Sequence, residues 1–229
     1  MAQPVIDEED YPSWFYDDDF RVARFEGDPR STRSVIRRLD TTLSLRHGHK
    51  PKKWGFAIIR TAYGPRSDQK FEHALEMINN IAQHWSEGEV EGLKSRIALG
   101  KETDFRYKHV PVEVDTRPNE EFVRRYENDV VEDQSLENAS FAAVREYFKT
   151  WIASKGGRSN VGNTRYVACI MLDAETLSQL ATAPKGFPYG CDVYNSSYWV
   201  KMVDVEASPD EAIRIVNIQE FFALATRRH

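Results

Sequence analysis

The sequence predicts an α+β fold: one central, mainly antiparallel sheet with helices packed on one face, a sandwich related to the ferredoxin-like arrangement. Three observations predict it. Apolar runs of strand length recur at residues 54–61, 165–172 and 198–206. A helical stripe follows the first run, and further stripes separate it from the second. At 229 residues with 41% hydrophobic content, the chain is long enough to bury one sizeable core around them.

In the first strand Trp54, Phe56, Ile58 and Arg60 alternate with Gly55, Ala57, Ile59 and Thr61. Both faces are largely apolar, as in a covered strand. Gly64-Pro65 ends it, and Ser67 is the expected N-cap of a helix with Asp68 well placed for the helix dipole. Phe71, Ala74, Leu75, Ile78, Ala82 and Trp85 form the helix's apolar stripe, opposite His73, Glu76, Asn80 and His84. Residues 86–107 are charged without a firm period and read as loop, and 107–114 read as a strand. Pro118 opens a helix carrying Phe122, Val123, Tyr126 and Val130, and residues 138–154 form another with Phe141, Val144, Phe148 and Trp151 on one face. After the strand at 165–172, Asp173 caps a short helix bearing Leu177 and Leu180, and residues 186–195 make a turn-rich lid. Residues 208–211 turn the strand at 198–206 into a hairpin partner at 213–216, and a last helix starts at Asn217.

Two segments precede this domain, so the chain divides into an extension, 1–53, and an α+β domain, 54–229. Residues 1–20 carry seven acids and no Lys or Arg, interleaved with Tyr11, Trp14, Phe15, Tyr16 and Phe20. Residues 21–53 are basic, with a helix expected over 31–45 and an exposed linker after it. The formal charge of −5 is therefore that arm's −7 against +2 for everything else, which argues against nucleic acid as a partner. No apolar run approaches the roughly 18 residues of a membrane helix, and the acidic start does not read as a secretory signal. The expected setting is a soluble protein of the cytoplasm, with the nucleus as the second choice.

Chemical signatures are sparse. His73 and His84 lie eleven residues apart, about 16 Å along a helix, too far to share one ion. The run KGGRSNVGNT at 155–164 nearly spells a phosphate loop, but Asn163 stands where the lysine belongs, and the loop leaves a helix for a strand. Cys169 and Cys191 have neither metal nor redox spacing. No metal and no cofactor are expected. Arg60 is the odd residue: a guanidinium after three apolar neighbours on one strand face needs a carboxylate or an anionic ligand. Arg60 with Tyr63, and Lys201 with Asp204, are the candidate ligand-binding residues, and pairing of Arg60 with Asp204 is the structural alternative. Tyr11, Trp14, Phe15 and Tyr16 are the candidate partner-binding residues.

The runs WGFAIIRTAY (54–63), VREYFKTW (144–151), CIMLDAETL (169–177) and VKMVD (200–204) resemble a family of intracellular proteins from filamentous fungi for which no activity is established. The resemblance covers about residues 54–229. It implies a sheet-and-helix domain and transfers no catalytic residue. The sequence departs from the family at Val205-Glu206-Ala207 and Ile213-Arg214-Ile215-Val216, in the C-terminal hairpin.

No nucleophile–base pair, carboxylate pair or dinucleotide fingerprint stands in the sequence. It does not decide whether the protein is an enzyme. The expected function is a non-catalytic binding or adaptor domain acting through protein–protein contacts. The alternative is a small-molecule pocket protein, or a cofactor-free enzyme of fungal secondary metabolism, with Arg60, Tyr63 and Lys201 orienting the ligand.

Overall fold

The computed structural model describes residues 53–103, 114–155, 164–183, 198–206 and 213–217. The expected arm, basic helix, linker, lid and last helix, the glycine-rich run at 156–163, the strand over 107–113, the turn at 208–211 and Cys191 lie outside them.

Among the described residues five strands form one sheet: β1 (Ala57–Arg60), β2 (Asp129–Glu132), β3 (Ala168–Leu172), β4 (Trp199–Asp204) and β5 (Ile213–Asn217), in the order β2-β1-β3-β4-β5. β1 runs parallel to both β2 and β3, whereas β4 is antiparallel to β3 and to β5. The sheet is therefore mixed, not mainly antiparallel. The expected Ile213 hairpin strand is present, so the error lay elsewhere. The helix expected from Pro118 includes Val130, but Val130 and Val131 form the strand that pairs beside β1. A parallel pair needs a long crossover; missing β2 hid one of the two parallel pairings, and the β1–β3 crossover through the intervening helices went unread.

Among the described residues four α-helices accompany the strands: α1 (Ser67–Thr103), α2 (Arg117–Arg124), α3 (Phe141–Ser154) and α4 (Ala174–Leu180). α1 is a 37-residue helix and continues through the segment expected to be loop. Leu93 and Ile97, four apart, are buried, and it is the charged residues and three glycines around them that obscured the period. The chain's contacts divide it into two compact units, with Trp54–His84 and Tyr126 onward in one and Trp85–Arg125 in the other. In the second unit Trp85 meets Phe122 at 5.2 Å between ring centroids, and Asn119 Nδ2 donates to the Ser86 carbonyl at 3.3 Å. Glu121, buried there, accepts from Arg124 at 2.7 Å and from Arg125. Burial alone would raise the Glu121 carboxyl, but the two guanidinium partners outweigh it and hold it below its ordinary value.

In the sheet unit, helices cover both faces rather than one. Ala57, Ile59, Cys169, Met171 and Val203 share a face and form a core with Val144, Phe148 and Ile152 of α3. Ile58, Ile170 and Leu172 alternate onto the other face and are equally buried. On that side the first half of α1 presents the buried Phe71, Ala74 and Ile78, and α4 presents Leu177 and Leu180. Lys70 of α1 donates to Ser178 of α4 at 3.0 Å. The placement follows from topology: the chain crosses from β1 to β2 on one side, then back past β1 to β3, and right-handed crossovers in opposite directions lay their helices on opposite faces.

β1 begins at a place only glycine can fill. Gly55 has φ 155°, and a Cβ there would stand 2.0 Å from the Glu127 carbonyl oxygen. That close approach lets Glu127 N–H donate to the Trp54 carbonyl (2.8 Å) and Asp129 N–H to that of Phe56 (2.9 Å), which sets the β1–β2 register. Gly55→Ala is expected to destabilise the sheet unit by about 2 kcal/mol or more, read as a lowered urea midpoint. An unchanged midpoint would mean that β2 does not pack here.

Candidate functional site

The strand order places a topological switch point at β1. The connections leaving β1 and β3 lead to opposite neighbours in the sheet, β2 and β4, and in open parallel sheets the crevice outside the carboxyl ends of such strands is where ligands bind. Arg60 ends β1, Asp173 follows β3, and Lys201, opposite Met171 on antiparallel β4, faces the same end of the sheet. The candidate site is this carboxyl end. It holds two charged clusters, one on each face.

On the α1 face stands Arg60, 4% exposed. Its Nε donates to the Ala62 carbonyl at 2.8 Å, Nη1 to Glu132 at 2.8 Å, and Nη2 to Ser67 Oγ at 2.8 Å and to Asp68. The rings of Tyr63 and Phe71 each lie 4.6 Å from the guanidinium carbon. Burial would lower the Arg60 pKa, but the Asp68 and Glu132 carboxylates overcome it and raise the value. Ser67 is the first residue of α1 and accepts this bond with its hydroxyl, whereas the sequence suggested an N-cap. Tyr63 Oη donates to the Arg60 carbonyl at 3.2 Å, and burial raises its pKa.

On the α3 face stands Lys201, whose Nζ donates to Asp173 at 2.5 Å and Glu175 at 2.6 Å. The rings of Phe141 and Trp199 lie 5.6 and 5.5 Å from the ammonium. Burial would lower the Lys201 pKa, but bonds to the two carboxylates outweigh it and raise the value. Burial would likewise raise the Asp173 carboxyl, yet Lys201 and the Thr176 N–H, which donates to it at 2.9 Å as α4's N-cap bond, hold it low. Both groups are thus fixed in their charged forms. Neither is tuned toward neutral pH, as a general acid or base would be.

The structure brings Arg60 and Tyr63 together and puts Lys201 at the same end of the sheet on the opposite face. It separates Asp204 from them. Three residues beyond Lys201, about 10 Å along the strand, Asp204 is opposite Ala168 at the other end of β3. Its carboxylate accepts from Glu206 N–H at 3.0 Å, and its carbonyl accepts from Arg145 Nε at 3.1 Å. The expected Arg60–Asp204 pair is replaced by Asp68 and Glu132. Tyr11, Trp14, Phe15 and Tyr16 lie outside the described residues. Sequence reasoning missed Asp68 and Glu132 as partners of Arg60 and Asp173 and Glu175 as partners of Lys201. The cap signature at Asp173 was the one available signal, and it named only half of that residue's role. Arg145 of α3 is buried, 6% exposed.

Among the described residues no group of three or more His, Cys, Asp and Glu is arranged to hold a metal ion, and no helix is long and apolar enough to cross a membrane. Cys169 is buried at the centre of β3, where burial pushes its thiol pKa up, away from reactivity. Comparison with known proteins gives no match: no family model, no curated protein and no solved structure matches this chain.

Two expectations follow. Arg60→Met should cost about 2–3 kcal/mol of stability, and Asp68→Ala less than about 1 kcal/mol, because the Asp68 side chain is 86% exposed. Equal costs in chemical denaturation would contradict the cluster as described. Second, Asp173 has a folded pKa below its unfolded value, so its stabilisation is complete above the unfolded pKa and is lost as pH falls through the folded one. Lys201 has the opposite sign: its contribution is complete below the unfolded lysine pKa and disappears as pH rises through the raised folded value. Asp173→Asn is therefore expected to flatten the acid limb of a stability–pH profile and to move the alkaline limb to lower pH, because Lys201 loses one of the two carboxylates that raise it. An unaltered acid limb would refute this assignment.

Proposed function

We propose that this protein is a non-catalytic binding domain that acts through contacts with another protein. The observation that supports it is the state of the two cations put forward as ligand anchors. Arg60 is bonded to Asp68, Glu132, Ser67 and a backbone carbonyl, and Lys201 to Asp173 and Glu175. A guanidinium enclosed in this way ties strands and helix together and has little left to offer a substrate. The pocket reading built on Arg60, Tyr63 and Lys201 is less well supported, because both of its cations are bonded to carboxylates of the protein and stand on opposite faces of the sheet. Charge-locked Lys201 and Asp173 give no proton-transfer pair, which further favours binding over chemistry.

The partner surface in this reading includes the acidic–aromatic arm, whose Tyr11, Trp14, Phe15 and Tyr16 carry the side-chain types that dominate binding energy at interfaces. Kinship with the fungal intracellular family belongs to the same proposal and adds no residue role. The test is proximity cross-linking of the full chain in its host cell, against a variant with Tyr11, Trp14, Phe15 and Tyr16 all changed to alanine. The reading expects a discrete protein partner, cross-linked at the arm, that falls at least about tenfold in the variant. An identical cross-linking profile for both chains would remove the arm from the account.

A further inference from the structure

Among the described residues Arg60, Arg125 and Lys201 are buried cations, and each is bonded to at least one carboxylate of the protein. Arg145 is the exception. It is 6% exposed, yet its guanidinium makes one hydrogen bond among the described residues, from Nε to the Asp204 carbonyl at 3.1 Å. Nη2 is enclosed and has no acceptor. Nη1 makes no bond either, but it is not among the enclosed atoms, so this edge of the guanidinium is open to solvent. A buried charge with no counter-charge is costly, and Arg145 carries that cost where its three counterparts do not.

The surroundings hold the guanidinium in place without neutralising it. Arg145 shares the buried side of α3 with Val144, Phe148 and Ile152, which pack on the sheet face of Cys169, Val203 and Val205. Burial raises the Cys169 thiol pKa and the Arg145 charge pulls it the other way, as expected of a charge beside the core. Val205 N–H donates to the Val167 carbonyl at 3.0 Å, so across a trans peptide the Asp204 carbonyl points away from β3. Arg145 takes that carbonyl one residue past Val203, the last β4 residue paired with β5. The Asp204 carboxylate does not serve as the counter-charge. Val203 and Val205 face α3, so the Asp204 side chain alternates to the other face, and it accepts from Glu206 N–H. With Nε on a carbonyl, the guanidinium still presents Nη1 and Nη2, the pair that meets two oxygens of one carboxylate or phosphate.

We propose that Arg145 is the anchor of an oxyanion site where β4 ends beside the start of β3, and that it takes one carboxylate or phosphate group through Nη1 and Nη2. Nη1 makes the first contact at the open edge. A small turn of the guanidinium about its Nε bond to Asp204 then brings Nη2 onto the second oxygen. The backbone carbonyl positions the fork and leaves the charge for the ligand, which the carboxylates on Arg60 and Lys201 do not. The inference concerns a chemical group rather than the identity of a partner, and it does not depend on the arm having any role in recognition.

The test uses the full chain and two variants, Arg145→Lys and Arg145→Met. Each is titrated with sodium phosphate and with sodium acetate, against sodium chloride at matched ionic strength. Binding is read as a saturable rise in Tm and, in the unmodified chain, as movement of the Arg145 Nη signals in nitrogen-15 NMR. Phosphate stabilises folded chains in general, so the difference from the Arg145→Met chain is the measure. One of the two probes is expected to raise Tm and move the Nη signals with the same midpoint, and the probe that does so identifies the chemistry. Arg145→Lys keeps the charge but not the fork and should weaken the response about tenfold, and Arg145→Met should abolish it. Where the methionine variant does not fold, the Nη signals of the unmodified chain decide alone. Nη signals that stay in place with both probes, or a Tm rise that is equally large in Arg145→Met, overturn the proposal.

Discussion

A buried guanidinium at the end of β1 is the constraint on which the sheet unit depends. Arg60 joins the carboxyl end of β2, through Glu132, to the first turn of α1, through Ser67 and Asp68, and does so from the strand beside β2. A charge at 4% exposure is tolerable only because four donated hydrogen bonds and two aromatic rings surround it. The arrangement is specific to arginine. An ammonium has the charge but not the flat fork, and it could not stack between Tyr63 and Phe71 while reaching two carboxylates on different elements.

That one residue explains several otherwise separate features. The strand β2 is only four residues long and has Val130 at 42% exposure, a poor strand by itself. It is anchored at one end by the Gly55 approach and at the other by Glu132 on Arg60. A third tie is the ion pair between Asp129 and Arg165 at 3.0 Å. Short edge strands with charges at both ends resist pairing with foreign strands, and here the same charges also hold the strand in register. Lys201 does the corresponding job on the other face, linking β4 to the β3–α4 junction. The carboxyl end of the sheet is thus closed by ion pairs on both faces, while its middle is closed by Ile58, Ile59, Ile170 and Met171.

What was legible in the sequence was what depends on short-range pattern. The strands around Ile58, Ile170 and Val203, the Asp173 cap and the stripe from Phe71 to Ala82 all follow from periods of two or 3.6. The misreadings share a physical origin. DVVE at 129–132 is too short and too charged at its ends to read as a strand, because its stabilisation comes from Arg60, Arg165 and Gly55, which are distant in sequence. Residues 86–103 read as loop because their glycines and charges mask the Leu93–Ile97 spacing. The candidate site was legible only as isolated residues. Arg60 and Lys201 stood out by their setting, but which acids they meet is decided by strand order. Missing β2 removed the information that would have placed Arg60 beside Glu132, and the antiparallel β3–β4 register is what sets Asp204 far from both.

The central claim is that Arg60 holds β2 and the start of α1 onto β1, and amide hydrogen exchange of the full-length Arg60→Met chain addresses it most directly. The Asp129 N–H, bonded to Phe56, and the amides in the first turns of α1 are predicted to lose protection together. The Val205 N–H, bonded to Val167 across β3 and β4, should keep its own. Exchange that is unchanged at Asp129, or that rises equally at Val205, would contradict the account.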